Sequence, residues 1–348
     1  MAKRKKLNIG QIRRIQQNRQ RKLDKAESKT ADVNISDDML GADQQGLVIS
    51  RFGQHAIIED SDGETLQCDI RRTVTSLVCG DEVVWREISA SSAKRTGVIE
   101  AVLPRRSALT RPDYYDGVKT VASNIDQIFV VSSILPEYSN QILDRYIIAA
   151  ENMSITPVIV LNKVDLADES ALAPIRQQLD YYHSLGYPII ELSCKTGVGI
   201  AQLHDQLNEN TNIFVGQSGV GKSSLVNQLL PDADEIVGDV SDNSGLGQHT
   251  TTASKMLSLP SGGRLIDSPG VREFGLWHMN QEQVVNGFIE FLPLLSQCKF
   301  RDCKHKNDPG CAIRAAVESG EIAQFRFDNY HKIVLSMEEN RSNRTFVR

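Results

Sequence analysis

Between residues 46 and 102, apolar and polar positions follow one another in short runs. These are Gly46-Leu-Val-Ile-Ser50, Ala56-Ile-Ile58, Thr65-Leu-Gln-Cys-Asp-Ile70, Val83-Val-Trp85 and Gly97-Val-Ile-Glu-Ala-Val102. Turns rich in Gly, Asp and Ser separate them, Asp60-Ser-Asp-Gly63 among them. Five short strands with such turns predict a small antiparallel barrel. An OB-fold fits this count and length, and barrels of that kind often bind oligonucleotides. An SH3-like barrel gives a similar pattern, so both stay open at this point. Cys68 and Cys79 read as barrel core residues.

From Pro104 to about Gly275 the pattern changes. Ile125–Ser132 and Thr156–Leu161 are nearly unbroken apolar runs, and Ile189–Leu192, Thr211–Val215 and Arg264–Ile266 read as further buried strands. Helical stretches, such as Gln141–Met153 and Ala173–Leu185, alternate with them. That alternation predicts a parallel sheet covered on both faces. A helix over Gln281–Leu295, a Cys/His cluster and further helices complete the chain. Residues 1–35 lack regular apolar periodicity and read as a mobile arm. The expected division is therefore an arm (1–35), an all-β barrel (36–103), an α/β domain (104–280) and an α-helical metal-binding domain (281–348).

Composition narrows the class. With 348 residues, 40% hydrophobic and 24% charged, the chain has the make-up of a soluble globular protein of two or three domains. No run of roughly 18 apolar residues predicts a membrane span. The basic N-terminus lacks the apolar segment of a secretory signal, so a cytoplasmic location is expected. No coiled-coil heptads argue for a dimer, and a monomer is expected. Charge is unevenly spread. Residues 1–25 hold ten Lys and Arg against the single acid Asp24, a balance of +9 on a chain of net −5. Such an arm reads as a nucleic-acid-binding tail or as a solvated, disordered end, and the two are compatible because basic arms often order only on their partner.

The chemistry is concentrated in five segments. Gly216-Gln217-Ser218-Gly219-Val220-Gly221-Lys222-Ser223 matches G-x-x-x-x-G-K-[ST], follows the strand at 212–215 and precedes a helical run from Ser224. Glycines let the backbone wrap phosphates, Lys222 reaches the β- and γ-phosphates, and the Ser223 hydroxyl is placed for Mg²⁺. Asn162-Lys163-Val164-Asp165 ends a buried strand. The Asp165 carboxylate can accept from guanine N1–H and the 2-amino group, donors that adenine lacks. Asn162 can bond the base edge, and the Lys163 stem can cover the ring. Ser193-Cys194-Lys195 suits a second guanine contact through a backbone amide; an ordinary strand-end turn is the bland alternative. Asp267-Ser-Pro-Gly270 suits water-mediated Mg²⁺ binding by Asp267 and γ-phosphate sensing by the Gly270 amide. The Gly-rich run Ser244–Thr252 reads as a switch loop in which Thr250 or Thr251, with Thr251 favoured, supplies a second hydroxyl to Mg²⁺.

These segments point to a GTPase, and their order is unusual. The guanine-reading residues precede the phosphate loop, which marks a circularly permuted G domain. Val271 follows Gly270, where Ras-like enzymes carry a water-orienting Gln. His249, in the switch loop, is the candidate to orient or deprotonate water instead.

A sixth segment reads as a metal site. Cys298-x₄-Cys303-x-His305-x₅-Cys311 supplies a Cys₃His set within 14 residues, suited to one structural, tetrahedral Zn²⁺. Lys299, Arg301, Lys304 and Lys306 make its surroundings basic.

The combination resembles the ribosome small-subunit-dependent GTPases of RsgA/YjeQ type across nearly the whole chain. The resemblance rests on the barrel, Asn162–Asp165, Gly216–Ser223, Gly247-Gln-His-Thr-Thr251, Asp267–Gly270 and Cys298–Cys311. It implies an OB-fold and a zinc domain that both touch rRNA, GTP hydrolysis to GDP stimulated by the small ribosomal subunit, and a late role in that subunit's assembly. It also implies that ppGpp can occupy the guanine site. Two departures stand out: Cys194 replaces the more usual Ala, and Gly219 stands where some related GTPases carry a potassium-binding Asn. Two alternatives are a GTP-dependent RNA-binding switch that barely hydrolyses, and a translation-linked G protein acting on tRNA or the whole ribosome.

Overall fold

The computed structural model of the chain describes residues 40–88, 96–113, 117–230, 254–267 and 279–345. The arm and the switch residues His249, Thr250, Thr251 and Gly270 lie outside the described residues.

The expected barrel is present. Its strands are β1 (Leu40–Phe52), β2 (His55–Asp60), β3 (Thr65–Ile70), β4 (Glu82–Ile88) and β5 (Thr96–Val102). β1 is long enough to pair with two neighbours: Gly46–Phe52 runs against β2, and Leu40–Leu47 runs against β4. β3 pairs parallel to β5, and β5 antiparallel to β4. The order β1-β2-β3-β5-β4 therefore closes on itself, which is the OB arrangement. Inward positions alternate along each strand, so Val48, Ile58, Cys68, Val83 and Ile99 surround a fully buried Trp85. Its indole N–H donates to the Gln45 carbonyl at 3.2 Å, so burial leaves that donor satisfied. Cys79 is not in this core. It packs with Leu109, Ala122 and Ile125 in the next domain, and its thiol donates back to the Ile49 carbonyl at 3.3 Å.

A hairpin the sequence pattern did not announce, β6 (Ala108–Asp113) with β7 (Gly117–Ser123), follows the barrel. The buried carboxylate of Asp81 holds the junction. It accepts from Arg105 Nε and Ser123 Oγ, each at 2.6 Å, and from the Val78 amide at 2.8 Å.

The second domain carries β8 (Gln127–Ser133), β9 (Thr156–Asn162), β10 (Ile189–Leu192), β11 (Thr211–Val215), β12 (Lys255–Ser258) and β13 (Arg264–Asp267). Their order is β10-β9-β8-β11-β13-β12, all parallel except β12. Helices α1 (Asn140–Asn152) and α2 (Glu169–Ser184) contribute to one apolar cluster. α3 (Ile200–Leu207) and α4 (Lys222–Leu229) contribute to another, which gives the doubly covered sheet expected of buried parallel strands. β12 also meets β1 at Ser50 and Lys255, so the barrel continues the sheet.

The C-terminal part is helical: α5 (Gln281–Asn286), α6 (Leu292–Leu295), α7 (Ala312–Glu318) and α8 (Gln324–Thr345). The single helix expected over Gln281–Leu295 is broken. α5 starts on a capping box between Asn280 and Gln283 and ends at Gly287, and a short 3₁₀ turn at Ile289–Phe291 leads into α6. Pro293 has no amide proton to donate back into the preceding turn, so an unbroken helix there would lose a hydrogen bond. This domain packs on α1, whose Ile148 and Ala149 lie in one cluster with Phe288, Phe291, Tyr330 and Ile333. A buried polar lock reinforces the contact. The fully buried Arg326 of α8 donates to Glu290 at 2.7 Å and to Asp144 of α1, and Asn329 donates to Asp144 at 2.6 Å. Its guanidinium lies over the Phe288 ring, 4.4 Å from the centroid. Burial alone would lower the Arg326 pKa, but Asp144 and Glu290 hold it well above its ordinary value.

Among the described residues, no helix is long and apolar enough to cross a membrane.

Candidate functional site

The site residues gather at one edge of the sheet because the strands that carry them are parallel. Asn162 ends β9, Ser193 follows β10, Gly216 follows β11 and Asp267 ends β13. Chain order runs outward from β8 to β9 and β10, then jumps across β8 to β11. β8 is thus a switch point, and crevices at the carboxyl ends of strands there are where open α/β sheets bind ligands.

The loop after β11 is shaped by glycine. Gly216 and Gly221 have φ of +141° and +101°, values L side chains rarely adopt. A Cβ on Gly216 would lie 2.2 Å from the Val131 carbonyl, and one on Gly221 would lie 2.4 Å from the Asn162 amide nitrogen. The loop is therefore pressed against β8 on one side and the Asn162 segment on the other. It feeds α4, whose first residue, Lys222, has its ammonium on the Gly216 and Gln217 carbonyls at 2.6 and 2.5 Å. Ser223 and Asp267 line one cavity of about 180 Å³ with Lys222, Asn227 and Phe214. A hydroxyl and a carboxylate facing one space beside a lysine form a pair of oxygen donors suited to Mg²⁺. Gln217, Ser218, Gly219, Val220 and Ser224 occupy the loop and first helical turn as the motif requires.

The second segment is fastened to the first. The Asn162 amide, 2% exposed, donates to the Val220 carbonyl at 2.9 Å, and its oxygen accepts from the Lys163 amide at 2.7 Å. Lys163 has left-handed φ, and its ammonium bridges the Gly219 and Leu135 carbonyls, 2.6 Å from each. Expected at the base, Asn162 at its edge and Lys163 over its ring, these two side chains brace the phosphate loop. Asp165 is exposed on the following 3₁₀ turn, and one of its oxygens accepts from the Ser193 hydroxyl at 2.6 Å. Ser193 is fully buried and also accepts from the Thr196 amide at 3.2 Å. Ser193 thus orients the carboxylate, a role the motif alone did not assign. Cys194 is half-buried beside it, with its thiol pKa raised by burial and by Asp165, and Lys195 is exposed. Leu135 and Pro136, in the loop after β8, were missed entirely; no motif marks them.

The cysteine cluster lies apart, in the C-terminal domain. The donor atoms of Cys298, Cys303, His305 and Cys311 all lie within 4.8 Å of one another. His305 Nδ1 is 3.7 Å from Cys298 Sγ and 3.5 Å from Cys311 Sγ. A tetrahedron with metal–sulfur bonds of about 2.3 Å and metal–nitrogen bonds of about 2.0–2.1 Å has sulfur–nitrogen edges of about 3.6 Å, so the set could hold one metal ion. His305 presents Nδ1 from a backbone with φ of +58°, and its carbonyl accepts from His331 Nε2 of α8 at 3.1 Å. Burial, with the Cys311 thiol adding to it, pushes Cys303 up to about 12, and a cation among the sulfurs would reverse that.

Comparison with known proteins agrees with this layout. Residues 102–277 match the family model described as RsgA GTPase. The chain is 56% identical over 350 residues to the small ribosomal subunit biogenesis GTPase RsgA 1 of Vibrio vulnificus, with 100% of this chain and 98% of that protein covered. It is 53% identical over 348 residues to the small ribosomal subunit biogenesis GTPase RsgA of Shewanella oneidensis, covering 99% and 98%. Among solved structures it is similar to YjeQ from Thermotoga maritima, with TM-score 0.70, 34% identity and coverage of 85% of this chain and 99% of that one. It is also similar to YloQ, described as a circularly permuted GTPase, with TM-score 0.69, 27% identity and coverage of 86% and 96%.

Proposed function

The chain belongs to the RsgA GTPase family, and from that premise we propose that it hydrolyses GTP to GDP in the biogenesis of the small ribosomal subunit, acting late through contacts with rRNA. The observation that carries the reading is the pair of hydrogen bonds from Asn162 to Val220 and from Lys163 to Gly219. They couple a phosphate loop to a guanine-type motif across β8, so one nucleotide can span both. Lys222 and the loop amides of Gly216–Ser223 hold the phosphates. Asp165, oriented by Ser193, selects guanine, with the backbone at Ser193–Lys195 alongside. Mg²⁺ brings charge neutralisation to the phosphates, and Ser223 and Asp267, with Thr251 or Thr250, are the residues to hold it. Gly270 senses the γ-phosphate, and His249 orients the attacking water. The functional units are the arm (1–35), the barrel (36–103), the G domain (104–280) and the C-terminal domain (281–348).

The Cys₃His set holds one structural Zn²⁺; three sulfurs and one imidazole nitrogen converging within 4.8 Å favour it over harder cations. The guanine pocket also admits ppGpp. The protein acts as a cytoplasmic monomer.

The test is turnover with and without purified small subunits, alongside sucrose-gradient co-sedimentation with a GTP analogue. Stimulated hydrolysis and migration with the small subunit are expected. Binding without stimulated turnover would leave a GTP-dependent RNA-binding switch, and migration with whole ribosomes would indicate a translation-linked G protein. Undiminished stimulated turnover in His249→Ala would remove His249 from the reaction.

A further inference from the structure

We propose that Phe300, in the metal-cluster loop, is a stacking platform for an unpaired RNA base. Phe300 lies between Cys298 and Cys303, on a turn closed by a hydrogen bond from the Cys303 amide to the Phe300 carbonyl at 3.3 Å. It is 43% exposed, although nothing about a small loop between two metal-type ligands requires an aromatic residue there. Lys299, Arg301, Lys304 and Lys306 are all exposed around it, with Asp302 the one acid between positions 299 and 306. Among the described residues, no salt bridge engages any of the four cations. Lys299 Nζ lies 5.5 Å from the ring centroid, which adds cation–π character to the platform.

An exposed aromatic ring among uncompensated cations has the chemistry of a single-strand binder. The cations track phosphates, and the ring offers a face to a base. Duplex RNA buries its bases in the stack, so the natural occupant is a loop, bulge or end. A protein partner would favour an apolar surround with charges at the rim, the reverse of this arrangement. Ligands at both ends hold the loop, so presenting the ring costs little conformational entropy on binding.

The inference rests on the reading that this protein meets rRNA, and the experiment keeps the two apart. The full-length, metal-loaded protein and its Phe300→Ala, Phe300→Leu and Lys304→Ala/Lys306→Ala variants are titrated, across a salt series, with a single-stranded RNA carrying 2-aminopurine, with a duplex of the same sequence, and with small subunits. Metal content and thermal midpoints show that each variant is folded. We expect Phe300→Ala and Phe300→Leu to bind the single strand and the subunit about 5- to 150-fold more weakly, the range of one lost base stack, with an unchanged salt slope and lost 2-aminopurine quenching. The double lysine variant should instead flatten the slope by about 1.4, the single-strand value for two phosphates. Wild-type affinity in Phe300→Leu, or equal losses on single strand and duplex, overturns the proposal. Weakening on the subunit with unaltered binding to free single strands assigns the ring to a protein contact and also overturns it. Absence of wild-type binding to small subunits sinks the functional reading itself.

Discussion

Arg264 and Glu59 join across 205 positions of sequence, Nη2 to Oε1 at 2.5 Å. Glu59 is on β2 of the barrel, and Arg264 begins β13, whose last residue is Asp267. The same β12–β13 hairpin reaches the barrel again where Lys255 pairs with Ser50. One hairpin therefore carries Asp267 at the nucleotide edge of the sheet and the barrel at its side. The Arg264 side chain is 40% exposed, so screening keeps the pair's direct contribution to stability below about 1 kcal/mol. The expected signature is local: Arg264→Ala leaves the thermal midpoint nearly unchanged and speeds amide exchange in β2 and β12. A double-mutant cycle with Glu59→Gln should give a coupling of roughly 0.5 kcal/mol, and zero coupling would make the pair incidental.

Asp81 makes a stronger prediction at the same junction. It is fully buried and is satisfied by Arg105, Ser123 and the Val78 amide. Asp81→Ala strands a partly buried guanidinium and two further donors at once, and should cost roughly 2–4 kcal/mol in denaturant unfolding. Asp81→Asn retains acceptor capacity and should cost clearly less. Equal losses in the two would show that charge, and not hydrogen bonding, holds the junction.

Base selection is testable through Asp165. A carboxylate accepts from the two donors on guanine, while an amide in its place offers a donor to the C2 carbonyl of xanthine. Asp165→Asn should weaken GTP binding on the order of a hundredfold or more and improve xanthosine triphosphate relative to GTP. Ser193→Ala releases the carboxylate without removing it, so a smaller loss is expected, about 1 kcal/mol in nucleotide affinity by isothermal titration. An Asp165→Asn variant with unaltered purine preference would exclude the base-reading role.

The contrast between what could and could not be read beforehand follows from the range of the interactions. The barrel strands, the parallel strands and the phosphate loop depend on local periodicity and on motifs with fixed spacing, so their residues could be named from sequence. Trp85 and Cys68 fell into the barrel core as their alternation required. Cys79 did not, because it lies in the connection between β3 and β4, where Ala122 pairs with it and Ser123 and Asn124, at the end of the β6–β7 hairpin, bond the adjoining Asp81 and Gly80. The bracing by Asn162 and Lys163 was hidden because it joins backbone carbonyls of a loop nearly sixty positions away. Arg326 was the least legible. It lies in a polar-looking helix, and only its partner at position 144, 182 residues away, reveals it as interior.

Metal removal should act locally on the C-terminal domain. The Cys₃His set closes the loop from 298 to 311, and Cys311 is also the residue that precedes α7. Chelation at neutral pH should release one metal ion per chain by elemental analysis and deprotect amides in 298–318, while nucleotide affinity changes little. Acid should act in the same direction, because the thiols and His305 must be deprotonated to bind. Loss of nucleotide binding in parallel with metal would instead mean that the two regions unfold together.

The lock between α1 and α8 gives the sharpest electrostatic test. Arg326 serves two buried carboxylates, Asp144 and Glu290, and burial already pushes the Asp144 pKa upward against the opposing pull of Arg326, Tyr182 and Asn329. Asp144→Asn leaves a neutral pair, Arg326 with Glu290, whereas Arg326→Met leaves two carboxylates without a cation. The arginine variant should therefore be the less stable, by roughly 3–5 kcal/mol against wild type. In it Asp144, already raised by burial and no longer opposed by the guanidinium, binds its proton more tightly when folded than when unfolded. The folded state then holds more protons than the unfolded one above the ordinary carboxylate range, and stability falls as pH rises through that window. The deficit in thermal midpoint, taken relative to wild type at each pH, should be smallest near about pH 5 and grow toward about pH 8. A deficit that stays flat over that range would mean that water enters the site and solvates the carboxylates once the guanidinium is gone, leaving packing against Phe288 and Tyr182 as what Arg326 contributes to the lock.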